Sequence, residues 1–256
     1  MSCKYVVSNI IENQQDAKDQ SIGIIRHQKS NNLRHLLREA FRQSLLGQYT
    51  PNITAQIVSH LGQSSDSAHM TNGQQSASEF FCFLVDKLDL GWLFHHRHEL
   101  RIVCQSCGHT NISTDVSGQF EISDVTVDNY NTIISDKYYK DTYIADGYKC
   151  DKCKSVDVVH HRNLKLTPEY IVVIFTEKYY KKYDVGYPNI LDIKTKTRIF
   201  SYKAIAHVDH YGSLSGGHYT ATAIRGDKTY LFNDQSYTEA TLSSTSNTYI
   251  VFYEQQ

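Results

Sequence analysis

The sequence predicts an α+β fold in which helices precede an antiparallel or mixed sheet. In the first third, apolar side chains recur at the three- and four-residue spacing of a helix with one buried face. After Trp92 the chain changes to short segments rich in Val, Ile, Tyr and Phe, which polar turns separate. Because helices and strands are segregated rather than alternating, the pattern argues against a repeated βαβ unit.

Two helices are predicted before residue 63. The first is expected to begin at a cap formed by Asn31 or Asn32, since the apolar stripe starts directly afterwards. Its core positions are Leu33, Leu36, Leu37, Ala40 and Phe41. Pro51 is suited to the first position of a second helix, and Gly62 is suited to its end. These two helices are expected to bury one face each.

A third helix and at least four strands follow. From Gln74 the chain is "QQSASEFFCFLVDKLDL", in which apolar residues again follow the helical period. The predicted strands are "ELRIVC", "QFEISDVTV", "IVVIF" and "YIVFY". The order of these segments supports the α+β class.

Charge and composition exclude several classes of function. The chain of 256 residues has a formal net charge of −1 and contains no long block of Lys and Arg, so nucleic acid is not an expected partner. Neither a signal sequence nor an uninterrupted apolar segment of membrane-spanning length is present, and a membrane is not expected either. The paired cysteines favour metal binding in a reducing compartment, which predicts a cytoplasmic or nuclear protein.

Four of the six cysteines form two Cys-x-x-Cys pairs separated by a long insert: Cys104, Cys107, Cys150 and Cys153. Each pair can place two thiolates on one ion from a tight turn, so the set predicts a closed, structural Zn²⁺ site. The alternative is four reduced thiols that are paired by coincidence. His95, His96, His98 and His109 are nearby ligands that a complete cysteine set does not need.

The segment "SGGHYTATAIRGDKTYLFND" predicts a hairpin that carries a histidine. Gly226 and Asp227 suit a two-residue turn with glycine first, which pairs residues whose numbers sum to 453. His218 and Asn233 then lie diagonally on one face, within side-chain reach. Gly217, with its neighbouring glycine, leaves room for another backbone beside the histidine. A base beside an orienting amide is half of a Cys-His-Asn site, and the alternative is an ordinary strand histidine.

These motifs resemble the ubiquitin-specific proteases. The hairpin is similar to the family's histidine box, "QQSASEFFCFLVDKL" to its Gln-Gln-Asp-Ala-x-Glu-Phe helix, and the four-cysteine region to its zinc fingers. The resemblance implies a papain-like cysteine protease hand with a helical thumb, a β-sheet palm and zinc-binding β fingers. It implies one catalytic domain over residues 1–256, with the thumb at 1–92, the fingers at 93–165 and the palm at 166–256.

The resemblance also implies roles for individual residues. His218 would be the general base, Asn233 its orienting partner and Asp234 a secondary polar partner. Gln75 and Glu79 would line the cleft that receives the ubiquitin tail.

Two features qualify this implied substrate cleft. His210, with Gly212, would lie in a loop that gates the cleft. Ser76 stands where the family usually has Asp, and Ser76-x-x-Glu79 is also a capping box that would begin the third helix.

The nucleophile is the weakest part of the resemblance. Cys3 lies at about the family's separation from the Gln-Gln helix, but Lys4-Tyr5-Val6-Val7 replaces the family's usual Tyr-x-Asn-Ser. Cys82 is the other candidate, although its helical position suggests packing. The family's oxyanion-stabilising asparagine, which lies several residues before the cysteine, has no counterpart in the printed sequence.

The expected activity is thiol-dependent hydrolysis at the C-terminal glycine of ubiquitin. The alternative is a ubiquitin-binding adaptor of the same fold without catalysis. A third function, a zinc module for nucleic acid, is disfavoured by the charge.

Overall fold

The structure is a computed structural model, which describes residues 24–45, 51–62, 75–123, 128–139, 142–143, 147–176, 186–195, 198–213, 216–234 and 236–256. Its helices are α1 (Ile24–Leu45), α2 (Pro51–Gly62), α3 (Ala77–Lys87), α4 (Gly91–Phe94) and α5 (Tyr130–Tyr139). Its strands are β1 (His96–Cys104), β2 (Thr110–Ser117), β3 (Phe120–Ile122), β4 (Thr142–Tyr143), β5 (Val158–Leu166), β6 (Tyr170–Phe175), β7 (Ile190–Lys194), β8 (Ile199–Ser213), β9 (Gly216–Arg225), β10 (Lys228–Asn233), β11 (Ser236–Glu239) and β12 (Thr248–Gln255). Among these helices, none combines the length and the apolar character needed to cross a membrane.

The first three helices follow the predicted order, with one correction. Helix α1 begins at Ile24, so Asn31 and Asn32 lie inside it rather than at its start, contrary to the prediction. Asparagine costs only a fraction of a kcal/mol inside a helix, about 0.7 or less, so it does not force a helix to start. Helix α2 does begin at Pro51, and Ser76 caps α3 by accepting a hydrogen bond from the Glu79 N–H at 3.4 Å.

Helix α5 was not predicted. The segment that the sequence suggested as a longer strand gives only the three residues of β3, and α5 follows within ten residues. Tyr130 and Ile134, one helical turn apart, are fully buried, and the Tyr130 ring lies 6.1 Å from Phe175 and 6.2 Å from Tyr253. Tertiary packing therefore selects this helix, because its own sequence has little amphipathic signal.

The described chain divides into two compact units. One comprises residues 1–90 with 208–242, and the other comprises residues 91–207 with 243–256. Within the first unit, α1 and α2 pack together, and the Arg34 guanidinium donates a hydrogen bond to the Leu88 carbonyl. Leu33, Ile53 and Leu61 are buried there, as the helical stripes predicted. The predicted core positions Leu36, Leu37 and Ala40 are only half-buried, so the first stripe is confirmed in part.

The second unit contains a four-stranded sheet in the order β2-β1-β5-β4, which we call the finger sheet. Strands β1 and β5 pair antiparallel, with Arg101 opposite His161. At the start of β1, the His96 ring stacks on Phe120 at 4.6 Å, and burial lowers the pKa of His96 to about 3. This histidine is therefore neutral at pH 7 and belongs to the core.

The second unit also contains most of a larger sheet. Strand β12 lies between β8 and β6, and β3 pairs parallel to β6 at the edge. All six residues of β6 are buried. Tyrosine hydroxyls inside this core donate to backbone carbonyls, Tyr202 to Pro168 and Tyr253 to Pro188, each at 3.0 Å. We refer to Tyr130, Tyr202 and Tyr253 as the tyrosine core.

In the first unit, β9, β10 and β11 form an antiparallel meander that continues from β8. The pairing of Thr229 with Ile224 and of Phe232 with Ala221 is the register predicted from the turn. Gly226 has φ +64°, which suits glycine as the first central residue of a two-residue hairpin turn.

Candidate active site and metal centre

His218 and Asn233 meet on one face of the β9–β10 hairpin. The His218 Nε2 and Asn233 Oδ1 atoms lie 2.7 Å apart, and both side chains are exposed. Their positions follow from the register, because residues on one face that are diagonal across a ladder are within reach of long side chains. The sequence thus predicted this contact from the turn.

The hydrogen bond fixes the tautomer of the imidazole. An amide oxygen only accepts, so Nε2 carries the ring proton and donates it to Asn233. Nδ1 of neutral His218 then has a lone pair and can accept a proton from a thiol. This is the arrangement that a general base requires.

The backbone beside His218 is tightly folded. A Cβ added to Gly217 would lie against the His210 ring and 2.7 Å from the Tyr211 carbonyl oxygen, so this position needs glycine. Gly212 has φ +132°, and a Cβ there would lie 2.5 Å from the Gly216 carbonyl oxygen. Gly216 itself faces open space, so close approach explains only Gly217 of the glycine pair.

His210 does not lie in a gating loop. It is in strand β8, is only 8% exposed, and its ring is 4.5 Å from the Tyr219 ring. Gly212 lies in the same strand. The loop prediction was wrong because β8 extends fifteen residues, past the point at which the glycine suggested a break.

Asp234 directly follows Asn233, the last residue of strand β10. It has φ +50°, a left-handed conformation that Asp adopts more easily than most residues, and its side chain is exposed. The Ser236 hydroxyl donates to the Asn233 carbonyl at 2.8 Å, which closes the turn into β11. Asp234 is therefore beside the His218–Asn233 pair in the chain.

Gln75 and Glu79 lie at the start of α3. Gln75 is half-buried, whereas Glu79 is exposed in the first turn, where a carboxylate interacts favourably with the helix dipole. The Ser76 hydroxyl accepts from the Glu79 N–H, which is half of the predicted capping box. The Glu79 carboxylate thus remains accessible to a ligand.

Of the two candidate nucleophiles, the structure describes only Cys82. Cys3 lies outside the described residues. Cys82 is exposed on α3, contrary to the prediction that it packs in the core.

The four predicted zinc ligands converge at one point of the finger sheet. All four Sγ atoms lie within 4.8 Å of one another, with Cys104 to Cys153 at 3.5 Å and Cys107 to Cys150 at 3.7 Å. Thiolates at the corners of a tetrahedron around Zn²⁺ are about 3.8 Å apart, because Zn–S bonds are about 2.3 Å long. The Cys104–Cys153 and Cys107–Cys150 distances are close to that spacing, so the donor set fits Zn²⁺.

Two similar turns hold the cysteines. The Gly108 N–H donates to the Cys104 carbonyl, and the Lys154 N–H donates to the Cys150 carbonyl, both at 2.9 Å. Gly108 has φ +71° and Lys154 has φ +61°, so one turn places a lysine where the other has glycine.

Hydrogen bonds also favour a charged sulfur at this site. The backbone N–H of Cys153, followed by that of Lys152, lowers the pKa of Cys150 to about 6. The backbone of this turn thus favours the thiolate form that a metal ligand needs, whereas the neighbouring Cys107 and Cys104 thiols raise the pKa of Cys153.

A family model described as "ubiquitin carboxyl-terminal hydrolase" matches residues 2–253. Ubiquitin carboxyl-terminal hydrolase 5 of Saccharomyces cerevisiae is 28% identical over 76% of this chain and 29% of its own length. Ubiquitin carboxyl-terminal hydrolase 36 of Drosophila mojavensis is 27% identical over 73% of this chain and 19% of its own length. The chain thus spans less than a third of the length of each of these curated relatives.

Solved structures share the fold. A SAGA DUB module containing Ubp8, bound to monoubiquitin, matches with a TM-score of 0.66 and 18% identity, covering 99% of this chain and 62% of that one. A similar module bound to ubiquitin aldehyde matches with a TM-score of 0.65, covering 99% and 63%. These matches confirm the predicted fold class. The chain therefore belongs to the ubiquitin carboxyl-terminal hydrolase family, as its resemblance to the ubiquitin-specific proteases predicted.

Proposed function

We propose that this chain hydrolyses isopeptide or peptide bonds after the C-terminal glycine of ubiquitin, with a cysteine thiolate as nucleophile. The observation that carries the proposal is the 2.7 Å hydrogen bond between His218 Nε2 and Asn233 Oδ1, which leaves Nδ1 as a proton acceptor. Family membership supplies the reaction class. Ubiquitin is the proposed partner, since a similar module is bound to ubiquitin.

The proposed reaction proceeds in two steps. His218 Nδ1 takes the proton from the Cys3 thiol, and the thiolate attacks the glycine carbonyl carbon. His218 then donates that proton to the leaving amine, so the C–N bond breaks and a thioester remains. In the second step His218 takes a proton from water, the resulting hydroxide attacks the thioester, and the thiolate leaves. Asn233 holds the ring throughout, with Asp234 beside it as a secondary polar group.

The competing function is a ubiquitin-binding adaptor. It is favoured by one observation, the departure of Lys4-Tyr5-Val6-Val7 from the family's sequence after the nucleophile. Ubiquitin with a C-terminal electrophile separates the two functions, because only a positioned thiolate forms a covalent bond with it.

We expect this probe to modify the chain and the Cys82→Ala variant equally, and to leave Cys3→Ala unmodified. The readout is the mass shift by intact-protein mass spectrometry. If the Cys3→Ala variant is still labelled, the nucleophile is a residue other than Cys3. If the unaltered chain is not labelled but binds unmodified ubiquitin measurably, the hydrolase function is excluded and the adaptor function is supported.

The four-cysteine cluster is proposed to hold one structural Zn²⁺ through Cys104, Cys107, Cys150 and Cys153. The donor set is closed, so the ion would join two segments of the chain and take no part in the reaction. The proposed domain division assigns residues 1–92 to a helical thumb, 93–165 to zinc fingers and 166–256 to a palm.

Gln75, Glu79 and His210 are proposed contacts of the ubiquitin tail, and Glu79 offers the sharpest test. If its exposed carboxylate binds a cation of the tail, Glu79→Gln should weaken ubiquitin binding about threefold or more. The fold should be retained, because the Ser76 cap uses the backbone N–H of residue 79. Isothermal titration gives the affinity and a melting curve gives the stability. A lowered melting temperature with unchanged affinity would restrict Glu79 to helix capping.

A further inference from the structure

A groove on the finger sheet is lined by cationic side chains that the proposed reaction does not use. It has a volume of about 600 Å³ and lies within the second unit, along β1 and β5 and beside Thr195 and Arg198, which adjoin the ends of β7 and β8. The cationic side chains of the groove are Arg101, Lys165 and Arg198. Arg162 also borders it, but this residue lies opposite Leu100 in the β1–β5 register, so its side chain projects from the other face of the sheet. The proposed catalytic residues all belong to the first unit, so this groove is a separate feature.

The groove concentrates positive charge on a chain that is nearly neutral overall. Among its described lining residues, the three cations Arg101, Lys165 and Arg198 accompany one carboxylate, that of Glu99, whereas the whole chain has 26 basic and 27 acidic residues. Glu99 lies 3.2 Å from Lys165 and 3.9 Å from Arg101. One carboxylate cannot neutralise three cations, so the lining retains a net positive charge.

One of the cations, Arg198, is held in place by its neighbours, and polar side chains also line the groove. The Arg198 guanidinium lies 4.1 Å from the centre of the Phe200 ring, which limits its rotation. Thr195 donates its hydroxyl hydrogen to the Arg198 carbonyl at 2.9 Å and so holds the turn that carries this arginine. Asn163 and Thr167 add hydrogen-bonding groups to the wall.

We propose that this groove binds a compact anion that carries several phosphate groups. Guanidinium groups bind phosphate oxygens through two parallel hydrogen bonds, and two of the three cations are arginines. The volume is in the range of small-molecule sites, about 300–1,000 Å³, which suits a single phosphorylated ring. The ligand chemistry is therefore that of an inositol phosphate, either as a free molecule or as a lipid headgroup.

Inositol 1,4,5-trisphosphate is the probe, titrated into the full zinc-loaded chain by calorimetry. Lys165→Gln/Arg198→Gln should weaken binding about tenfold or more, since each lost contact is a charge-assisted hydrogen bond. The matched control is Arg97→Gln/Lys203→Gln, which removes the same charge from exposed positions of β1 and β8 outside the groove. The control should bind within about twofold of the unaltered chain, because neither of its side chains lines the groove and exposed charges are screened by salt.

Glu99→Gln gives a test of opposite sign. It removes the carboxylate that contacts Lys165 and Arg101, so binding should tighten about threefold or more. A purely structural role for Glu99 would not raise affinity. This variant keeps the proposal testable if Lys165→Gln/Arg198→Gln fails to fold.

Vesicles distinguish the two sources of the ligand. Co-sedimentation with phosphatidylcholine vesicles containing phosphatidylinositol 4,5-bisphosphate, but not with phosphatidylcholine alone, would identify the lipid headgroup. Calorimetric binding of the soluble trisphosphate without sedimentation would identify the free molecule. The proposal is overturned if neither binds, if the control variant weakens binding as much as Lys165→Gln/Arg198→Gln, or if Glu99→Gln fails to strengthen it.

Discussion

Replacing His218 with alanine is expected to abolish hydrolysis of a fluorogenic ubiquitin amide, with a loss on the order of 10⁴-fold or more. The reason is that Nδ1 is the proton acceptor left by the hydrogen bond to Asn233, and a thiol without a base is a poor nucleophile at pH 7. Turnover rates of Cys3→Ala, His218→Ala and the double variant measure this. If the pair acts as a unit, the double variant loses no more than either single one.

Asn233→Ala should lose roughly two orders of magnitude less than His218→Ala, because it removes only the group that orients the ring. Lys228→Ala is a suitable control, since this exposed residue of the same hairpin pairs with Glu239 on the surface. Equal losses in Asn233→Ala and Lys228→Ala would show that the hairpin, rather than the amide, is what matters. Full activity in His218→Ala would exclude it as the base.

Cys150→Ser is expected to release zinc and unfold the finger sheet. Structural zinc contributes roughly 10–16 kcal/mol in small model sites, more than most single-residue effects. Three remaining thiolates cannot close the tetrahedron that the observed sulfur positions fit. We expect the metal content, measured by mass spectrometry, to fall from one zinc per chain to almost none, together with a lower melting temperature.

The control for that experiment is Cys82→Ser, which alters an exposed cysteine on α3 outside the cluster. It should retain zinc and melt with the unaltered chain. Natively purified protein without zinc would refute the site, and so would a Cys150→Ser variant that keeps its metal.

Features set by local rules were predictable from the sequence. The hairpin turn at Gly226 determines the pairing of β9 with β10, and that pairing brings Asn233 to His218. The spacing of the cysteine pairs likewise anticipated the sulfur cluster. In both cases short local motifs fix the side-chain positions, and for the cysteines the pairing of β1 with β5 then brings the two motifs together.

Features set by tertiary contacts were not predictable in this way. Helix α5 forms because Tyr130 and Ile134 fill space against distant strands, and the burial of His210 depends on how far β8 continues. The cationic groove was not predicted from the sequence, because Arg101 and Arg198 are almost a hundred residues apart in the chain. Net charge alone hides such a cluster when acidic residues elsewhere balance it.

The tyrosine core limits the stability of the folded protein at alkaline pH. Burial raises the pKa of Tyr130, Tyr202 and Tyr253 above the ordinary value, since a phenolate inside the sheet would lose its hydration. In the unfolded chain these phenols ionise near their usual pKa of about 10. Their contribution to the free energy of unfolding is therefore fully present below that pH and declines above it. The Tyr202 and Tyr253 hydroxyls, which donate to backbone carbonyls at neutral pH, would lose that donor proton on ionisation, so strong base is expected to denature the protein.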